Sequence, residues 1–322
     1  MAKGRIPHLV VFFLFCWLAH PARAADLPDF SVLKQAPQDT PLAAPKMMSG
    51  FDGTLLAYRQ YVPRDPQGIV ILFHAAGLHS ALGLQHLAYD LAREQRVVVI
   101  TPDMRGHGAS KGALGDAPKK DSYMMDMDTV LSYATFAFPD LPVLLGAHSS
   151  SSALLLNYLE WTERKDIRGA LFLAPYLGPK AKLQRSSDNG FVKVHKAGMI
   201  INKSTFGLAC RHCQGLTLDL PHSAKVTYRP IITDFTVAAA RAFSTSNPLL
   251  QVRKLRLPYA VLVGSKDELL QGGRTKQFFK LNGRTPWMMK NEIIRDATHL
   301  SILYSSQDAV GSWVDQVLAG LR

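Results

Sequence analysis

Three residues, well separated along the chain, could together activate a hydroxyl group. Ser149 lies in Gly146-Ala147-His148-Ser149-Ser150-Ser151-Ser152-Ala153, directly after the apolar pair Leu144-Leu145. A strand that passes straight into a helix through small residues holds a serine Oγ exposed above a sheet. Such a turn needs small residues two before and two after the nucleophile. For Ser149 these are Ala147 and Ser151. For Ser151 they are Ser149 and Ala153, so Ser151 stands as the alternative nucleophile. Ser150 is disfavoured, because His148 would occupy the crowded position. A serine-rich helix N-cap would read similarly, so the serine has to be weighed with its partners.

A serine hydroxyl is a weak nucleophile until a base takes its proton. After His222 the sequence holds one histidine, His299, in Asp296-Ala297-Thr298-His299-Leu300, just past the last strand pattern. Asp267 follows Val261-Leu262-Val263-Gly264-Ser265-Lys266 at the end of another strand pattern, with Glu268 and Asp296 as competitors. An acid in that place would fix the imidazole tautomer and stabilise the imidazolium.

The elements that must position these residues alternate along the chain. Asp52-Gly53 between apolar stretches reads as a hairpin turn. Residues 68–73 and 97–100 are apolar runs with a β-branched bias, as strands buried on both faces require, and further strands are read at 141–147, 169–173, 259–263 and 292–294. Helical patterns at 82–94, 121–138, 151–161, after Gly272 and at 310–321 separate them. Such alternation predicts an α/β fold, a mostly parallel central sheet with helices on both faces. Between 175 and 247 the pattern breaks into prolines and helical pieces with no clear strand. That stretch is expected to be a mainly helical cap inserted between core parts 50–174 and 248–322, lying over the C-terminal strand ends.

Two further segments sit at strand ends, His74-Ala75-Ala76-Gly77-Leu78-His79-Ser80 and Asp103-Met104-Arg105-Gly106-His107-Gly108-Ala109-Ser110. With the Ser149 segment, they resemble the branch of the α/β-hydrolase superfamily that holds monoacylglycerol lipases, lysophospholipases and serine-aminopeptidase-like hydrolases. That branch carries H-G-x-G-x-H-S, D-x-x-G-H-G-x-S and G-H-S-x-G-G. The resemblance runs from about residue 50 to the C-terminus and is weakest in the insertion. The chain departs from it at Ala75, Ala147, Ser151 and Ser152, where the family has glycine. The resemblance implies the α/β-hydrolase fold, a catalytic triad of Ser149, Asp267 and His299, and an oxyanion hole from the backbone N–H groups of Ala76 and Ser150. It gives Asp103 and His107 structural roles.

Ahead of the fold, Lys3 and Arg5, an apolar run over 9–19 and Ala22-Arg23-Ala24 have the layout of a secretory signal peptide cleaved before Ala25. The run is short for a membrane span, which needs about 20 residues, and an uncleaved anchor is the alternative. The residues before Cys16 lack the small side chain that a lipidation signal requires. Residues 25–49 form a Pro-rich lead. Removing 1–24 deletes Lys3, Arg5 and Arg23 and no acid, taking the net charge from +12 to +9. A basic exported protein can touch anionic membrane surfaces. No basic run or binding motif supports nucleic acid as a partner. Cys210 and Cys213, in Cys-Arg-His-Cys, are expected to form a disulfide in an oxidising compartment. No metal-ligand spacing, phosphate loop or cofactor motif is present.

The function expected is hydrolysis of acyl esters, small or lipid-like, such as monoacylglycerols or lysophospholipids. Met199, Ile200, Ile201, Phe206 and Leu208 are the candidate lining of an acyl pocket, or else the cap's own core. An aminopeptidase-like hydrolase would need cap acids to hold an amino group, and these are sparse (Asp188, Asp219, Asp234). A non-catalytic binding protein on the same scaffold is the remaining alternative.

Overall fold

Strands without a polar face have to be covered on both sides, and the chain does this by winding helices around one sheet. The computed structural model describes residues 27–119, 121–185, 190–284 and 286–321. The expected signal peptide and its cleavage point lie outside the described residues, as does Asp188. Lys46–Ser49 (β1) and Leu55–Tyr61 (β2) pair antiparallel around the Asp52-Gly53 turn. The lead of 25–49 therefore contributes a strand to the sheet. Then follow Gly68–Phe73 (β3), Leu84–Glu94 (α1), Val97–Pro102 (β4), Ser122–Ala137 (α2), Val143–His148 (β5), Ser151–Trp161 (α3) and Ile167–Leu173 (β6). After the insertion come Pro248–Lys254, Tyr259–Gly264, Gly272–Asn282, Met288–Ile294, Ile302–Ser305 and Gln307–Ala319.

The insertion departs from the strandless expectation. Val192–Val194 (β7), Gln214–Leu218 (β8) and Asp234–Thr236 (β9) form a three-stranded antiparallel sheet. Helices Lys196–Ser204 (α4), His222–Thr227 (α5) and Val237–Ala242 (α6) accompany it. The later elements are then Pro248–Lys254 (α7), Tyr259–Gly264 (β10), Gly272–Asn282 (α8), Met288–Ile294 (β11), Ile302–Ser305 (α9) and Gln307–Ala319 (α10). The strands at 192–194 and 234–236 have three residues each, too few for a period-2 pattern to stand out from loop sequence.

The main sheet has eight strands in the order β1-β2-β4-β3-β5-β6-β10-β11. From β4 to β11 every neighbouring pair is parallel. Right-handed crossovers put α1 on one face and the helices of the opposite winding direction on the other. Accordingly α1, α9 and α10 pack together, and α2, α3, α7 and α8 form a second connected layer. Residues 69–72, 97–100 and 143–145 are fully or almost fully buried. Each such aliphatic side chain contributes roughly 1.5–3 kcal/mol. Winding reverses at β3, which has β4 on one side and β5 on the other. Open α/β sheets bind ligands outside the strand ends at such a switch. Register places Phe73 beside Ala147 and His148 beside Leu173, so the loops leaving β3, β5 and β6 emerge together.

Candidate active site

β5 ends at His148 and α3 begins at Ser151, so Ser149 occupies the turn between them, at φ +54°. A non-glycine residue held there costs of order 1–3 kcal/mol and persists only where its surroundings enforce it. They do: the Ser149 N–H donates to the Leu173 carbonyl at 2.9 Å, and the Ser149 carbonyl accepts from Tyr176 N–H at 3.1 Å. Ala147, Ser151 and Ser152, where the resembled family has glycine, are all buried in this turn.

Ser149 Oγ lies 2.8 Å from His299 Nε2, and His299 Nδ1 lies 2.9 and 3.1 Å from the two Asp267 oxygens. A carboxylate only accepts, so Nδ1 carries the ring proton and Nε2 is left to accept from the serine hydroxyl. Asp267 is fully buried; His299 is 3% and Ser149 7% exposed. Asp267 Oδ1 also accepts from the N–H groups of Leu269 at 2.9 Å and Leu270 at 2.8 Å, which holds the carboxylate in place. The loops after β10 and β11 touch closely, with Lys266 N–H on the Ala297 carbonyl at 2.9 Å. Gly264 permits that contact, because a Cβ there would stand 2.1 Å from the Ala297 oxygen. The Gly-x-x-Asp spacing seen in the sequence thus has a steric cause.

Glu268, a competitor for the acid's place, has a different position. Its Oε2 accepts from the His299 N–H at 2.8 Å, and its Oε1 from the Asp29 N–H at 3.1 Å. Asp296, the other competitor, is exposed and paired with Lys266. Burial alone would lower the His299 pKa; the Asp267 charge and hydrogen bond, with Glu268 behind them, overturn this and leave it raised. His148, read in the sequence only as bulk, donates from Nε2 to the His299 carbonyl at 2.9 Å. Burial, with His299 close by, pushes its own pKa down to about 3, so it stays neutral.

The serines of the run differ in their hydrogen-bond partners. Ser151 Oγ donates to the His74 carbonyl and is fully buried, and Ser152 Oγ donates to the Ala147 carbonyl at 3.2 Å. Neither meets His299. Ser150 Oγ accepts from the Ala76 N–H at 2.9 Å. The expected oxyanion donor of Ala76 is therefore already engaged by a side chain, while the Ser150 N–H has no hydrogen-bond acceptor among the described residues.

The loop after β3 that carries Ala76 is held from below. His74 donates from Nδ1 to the Ala75 carbonyl at 2.8 Å and accepts the Met104 N–H at Nε2, 3.0 Å away. His107 donates to the Arg105 carbonyl at 2.9 Å and accepts the Gly77 N–H at 3.3 Å. Asp103 accepts from the N–H groups of Ser80 at 2.7 Å and Ala109 at 2.9 Å. Burial pushes His74 down to about 3 and His107 to about 4, keeping both neutral. From above, the cap closes on the same loop: Ile232 N–H donates to the Gly77 carbonyl at 2.9 Å, and Leu218 packs beside Gly77. Gly77 sits at φ +84°, and a Cβ there would lie 2.5 Å from the Ile232 oxygen.

Four of the five apolar cap residues expected to line a pocket, or to form the cap's core, do neither. Ile200, Ile201, Phe206 and Leu208 are 65%, 45%, 96% and 87% exposed, while Met199 is half-buried. Cys210 and Cys213 are joined by a disulfide just beyond them.

Residues 64–302 match the family described as serine aminopeptidase, S33. The chain belongs to that family. Among relatives of this S33 member, rat (Rattus norvegicus) monoglyceride lipase is 24% identical over 251 residues, 76% of this chain and 80% of the relative. An abhydrolase-domain protein of Dictyostelium discoideum is 28% identical over 133 residues; the match covers 41% of this chain but only 14% of that protein's length. The crystal structure of a soluble variant of Saccharomyces cerevisiae monoglyceride lipase, in complex with a substrate analogue, has a TM-score of 0.66 at 16% identity. It covers 88% of this chain and 98% of that one, and the likeness concerns the α/β-hydrolase fold.

Proposed function

We propose that this S33 chain is an exported serine hydrolase that cleaves carboxylic esters of lipid-like acyl groups, such as monoacylglycerols or lysophospholipids, through an acyl-enzyme on Ser149. One observation carries the reading: an unbroken hydrogen-bonded line from Ser149 through His299 to Asp267, launched from a left-handed turn. His299 Nε2 takes the Ser149 proton as Oγ attacks the ester carbonyl. The tetrahedral oxyanion is met by the Ser150 N–H and, once the Ser150 hydroxyl turns aside, by the Ala76 N–H. His299 then protonates the leaving alcohol, and a water activated by the same nitrogen releases the acid and restores Ser149. Fixed donors of this kind are each worth about 10²–10³ in rate.

The lipid-like acyl group is supported by the apolar cap residues Leu218 and Ile232 over the oxyanion loop and by the monoglyceride lipase relative. Peptide substrates are disfavoured. Asp219 and Asp234 are exposed, and Asp234 is engaged by Thr217, Thr233 and Gln214. A binding role without catalysis is disfavoured by the intact proton line. Export rests on the amino-terminal pattern, and sequencing of the protein recovered outside the cytoplasm should begin at Ala25.

The test is labelling with a serine-reactive fluorophosphonate, followed by turnover of p-nitrophenyl esters of graded chain length beside aminoacyl arylamides. Wild type should label, and Ser149→Ala and His299→Ala should not. Arylamide turnover above ester turnover would favour the aminopeptidase. A wild type that neither labels nor turns over any ester would end the catalytic reading.

A further inference from the structure

Helix α4 is inside out. It buries Gly198 and Asn202 against the rest of the cap and turns Ile200 and Ile201 to solvent. The chain beyond it projects Phe206 and Leu208 further still. This projection is a built structure. Asn202 accepts from Arg241 Nη1 at 2.5 Å and donates to the Ala209 carbonyl at 2.7 Å. Its own carbonyl takes the Gly207 N–H at 2.7 Å, and Thr205 Oγ1 accepts from the Ala209 N–H at 3.1 Å. Phe206 is held at φ +52°, a conformation that would relax in a loose loop, and the Cys210–Cys213 disulfide closes the base. A fixed, convex tip that spends strain to hold a phenylalanine in water calls for an apolar partner.

The surrounding charge says which partner. From 190 to 218 the sequence has Lys193, Lys196, Lys203 and Arg211 and no acidic residue, and Asp116, which the fold brings against the tip, is engaged by His212 Nδ1 at 2.8 Å. The three lysines are exposed, and none forms a salt bridge among the described residues. Exposed apolar side chains flanked in sequence by exposed lysines are the pattern of segments that sink into the boundary of an anionic bilayer. From Cys213, the five residues of β8 run directly to Leu218 beside Gly77, a span of about 17 Å at the rise of a strand.

We propose that the tip formed by α4 and residues 205–213 docks this protein on an anionic lipid surface, inserting Phe206 and Leu208 with Ile200 and Ile201 at the rim. Docking there holds the cap against the bilayer at the far end of β8 from the oxyanion loop, so that a lipid ester has a short path from the surface to Ser149. The inference deepens the esterase reading by naming the surface from which substrate arrives.

The test is co-sedimentation of the full exported chain, disulfide intact, with vesicles of phosphatidylcholine alone and of phosphatidylcholine mixed with phosphatidylglycerol. Binding should need the anionic lipid and weaken with salt. The double variant Phe206→Ala with Leu208→Ala should bind at least tenfold more weakly. Replacing Lys193, Lys196 and Lys203 by glutamine should cost about fivefold per residue. Both variants should hydrolyse a short soluble ester at the wild-type rate and lose turnover only on ester carried in vesicles. Phe206→Trp should add blue-shifted emission on anionic vesicles. The inference is overturned if the apolar variant binds like wild type, if the Phe206→Trp emission does not move, or if binding ignores lipid charge. A concentration-dependent dimer abolished by the apolar variant would also overturn it, assigning the tip to a second copy. A wild type that docks but turns over no soluble ester would refute the esterase reading and leave the docking site standing.

Discussion

Ser149 and Ser151 are two residues apart, yet replacing them should have opposite consequences. Ser149→Ala removes the hydroxyl facing His299 and should lower kcat by about 10⁴–10⁶-fold with the fold intact. Ser151→Ala removes a bond to the His74 carbonyl and a contact with Met104 Sδ at 3.8 Å, neither of them to His299, so it should keep fluorophosphonate labelling and cost about 1 kcal/mol of stability. Loss of labelling in Ser151→Ala alone would transfer the nucleophile to it. Ser150→Ala should raise kcat by a few-fold, because the Ala76 N–H is then free before the oxyanion forms. A fall in kcat would show that the hydroxyl itself donates to the oxyanion. His299 must be neutral to act, and its pKa is raised above the ordinary 6.5, so the acid limb of kcat/KM should inflect above 6.5. The charges facing it are Asp267 and Glu268, with neutral His148 against the ring. Glu268→Gln removes one of those charges and should shift the limb to lower pH; an unmoved limb would deny Glu268 any hold on the imidazole.

At the scale of elements, what could be read in the sequence follows burial. The strands at 68–73 and 259–264 lie between two layers of helices, so every residue is apolar and both bounds were legible to within a residue. The strand at 288–294 is the exposed edge, its apolar residues interrupted by Lys290, Asn291 and Glu292, and only its last three residues stood out. The nucleophile turn was legible because sterics demand small side chains there. Which serine reacts was not, because the choice depends on acceptors as distant in sequence as His74. The outward face of α4 was illegible for a related reason: periodicity shows that a helix has two faces and says nothing of which one the fold covers. The cap's contact with the oxyanion loop makes its own prediction. Gly77→Ala would force a Cβ to 2.5 Å from the Ile232 oxygen at positive φ. It should destabilise the fold by about 1–3 kcal/mol and lower kcat more than it raises KM. A variant with wild-type melting temperature and kinetics would mean that the cap moves away at no cost.

For the molecule as a whole, the buried histidines set the acid limit. His74, His107 and His148 have pKa values near 3, 4 and 3, while the unfolded chain protonates the same groups around 6.5. Below 6.5 the unfolded state binds more protons, so their stabilisation is complete above that pH and declines as pH falls toward 4 and 3. His299 runs the other way, one group against these three and against His79 and His86, which burial also pushes down. The melting temperature should therefore fall steadily from about pH 6.5 downward; a flat profile to about pH 4 would contradict this. The same molecule ties its first described residues to its chemistry. Asp29 N–H meets Glu268, Tyr228 donates to the Phe30 carbonyl, and Tyr304 donates to the Val32 carbonyl. A protein trimmed to begin at Lys34 would keep all eight strands of its main sheet and still lack a wall of its workshop. It should melt below wild type, because buried Phe30 and Val32 leave the core with the trimmed segment, and turn over ester slowly, because the carboxylate that steadies the histidine loop would have lost one of its two anchors.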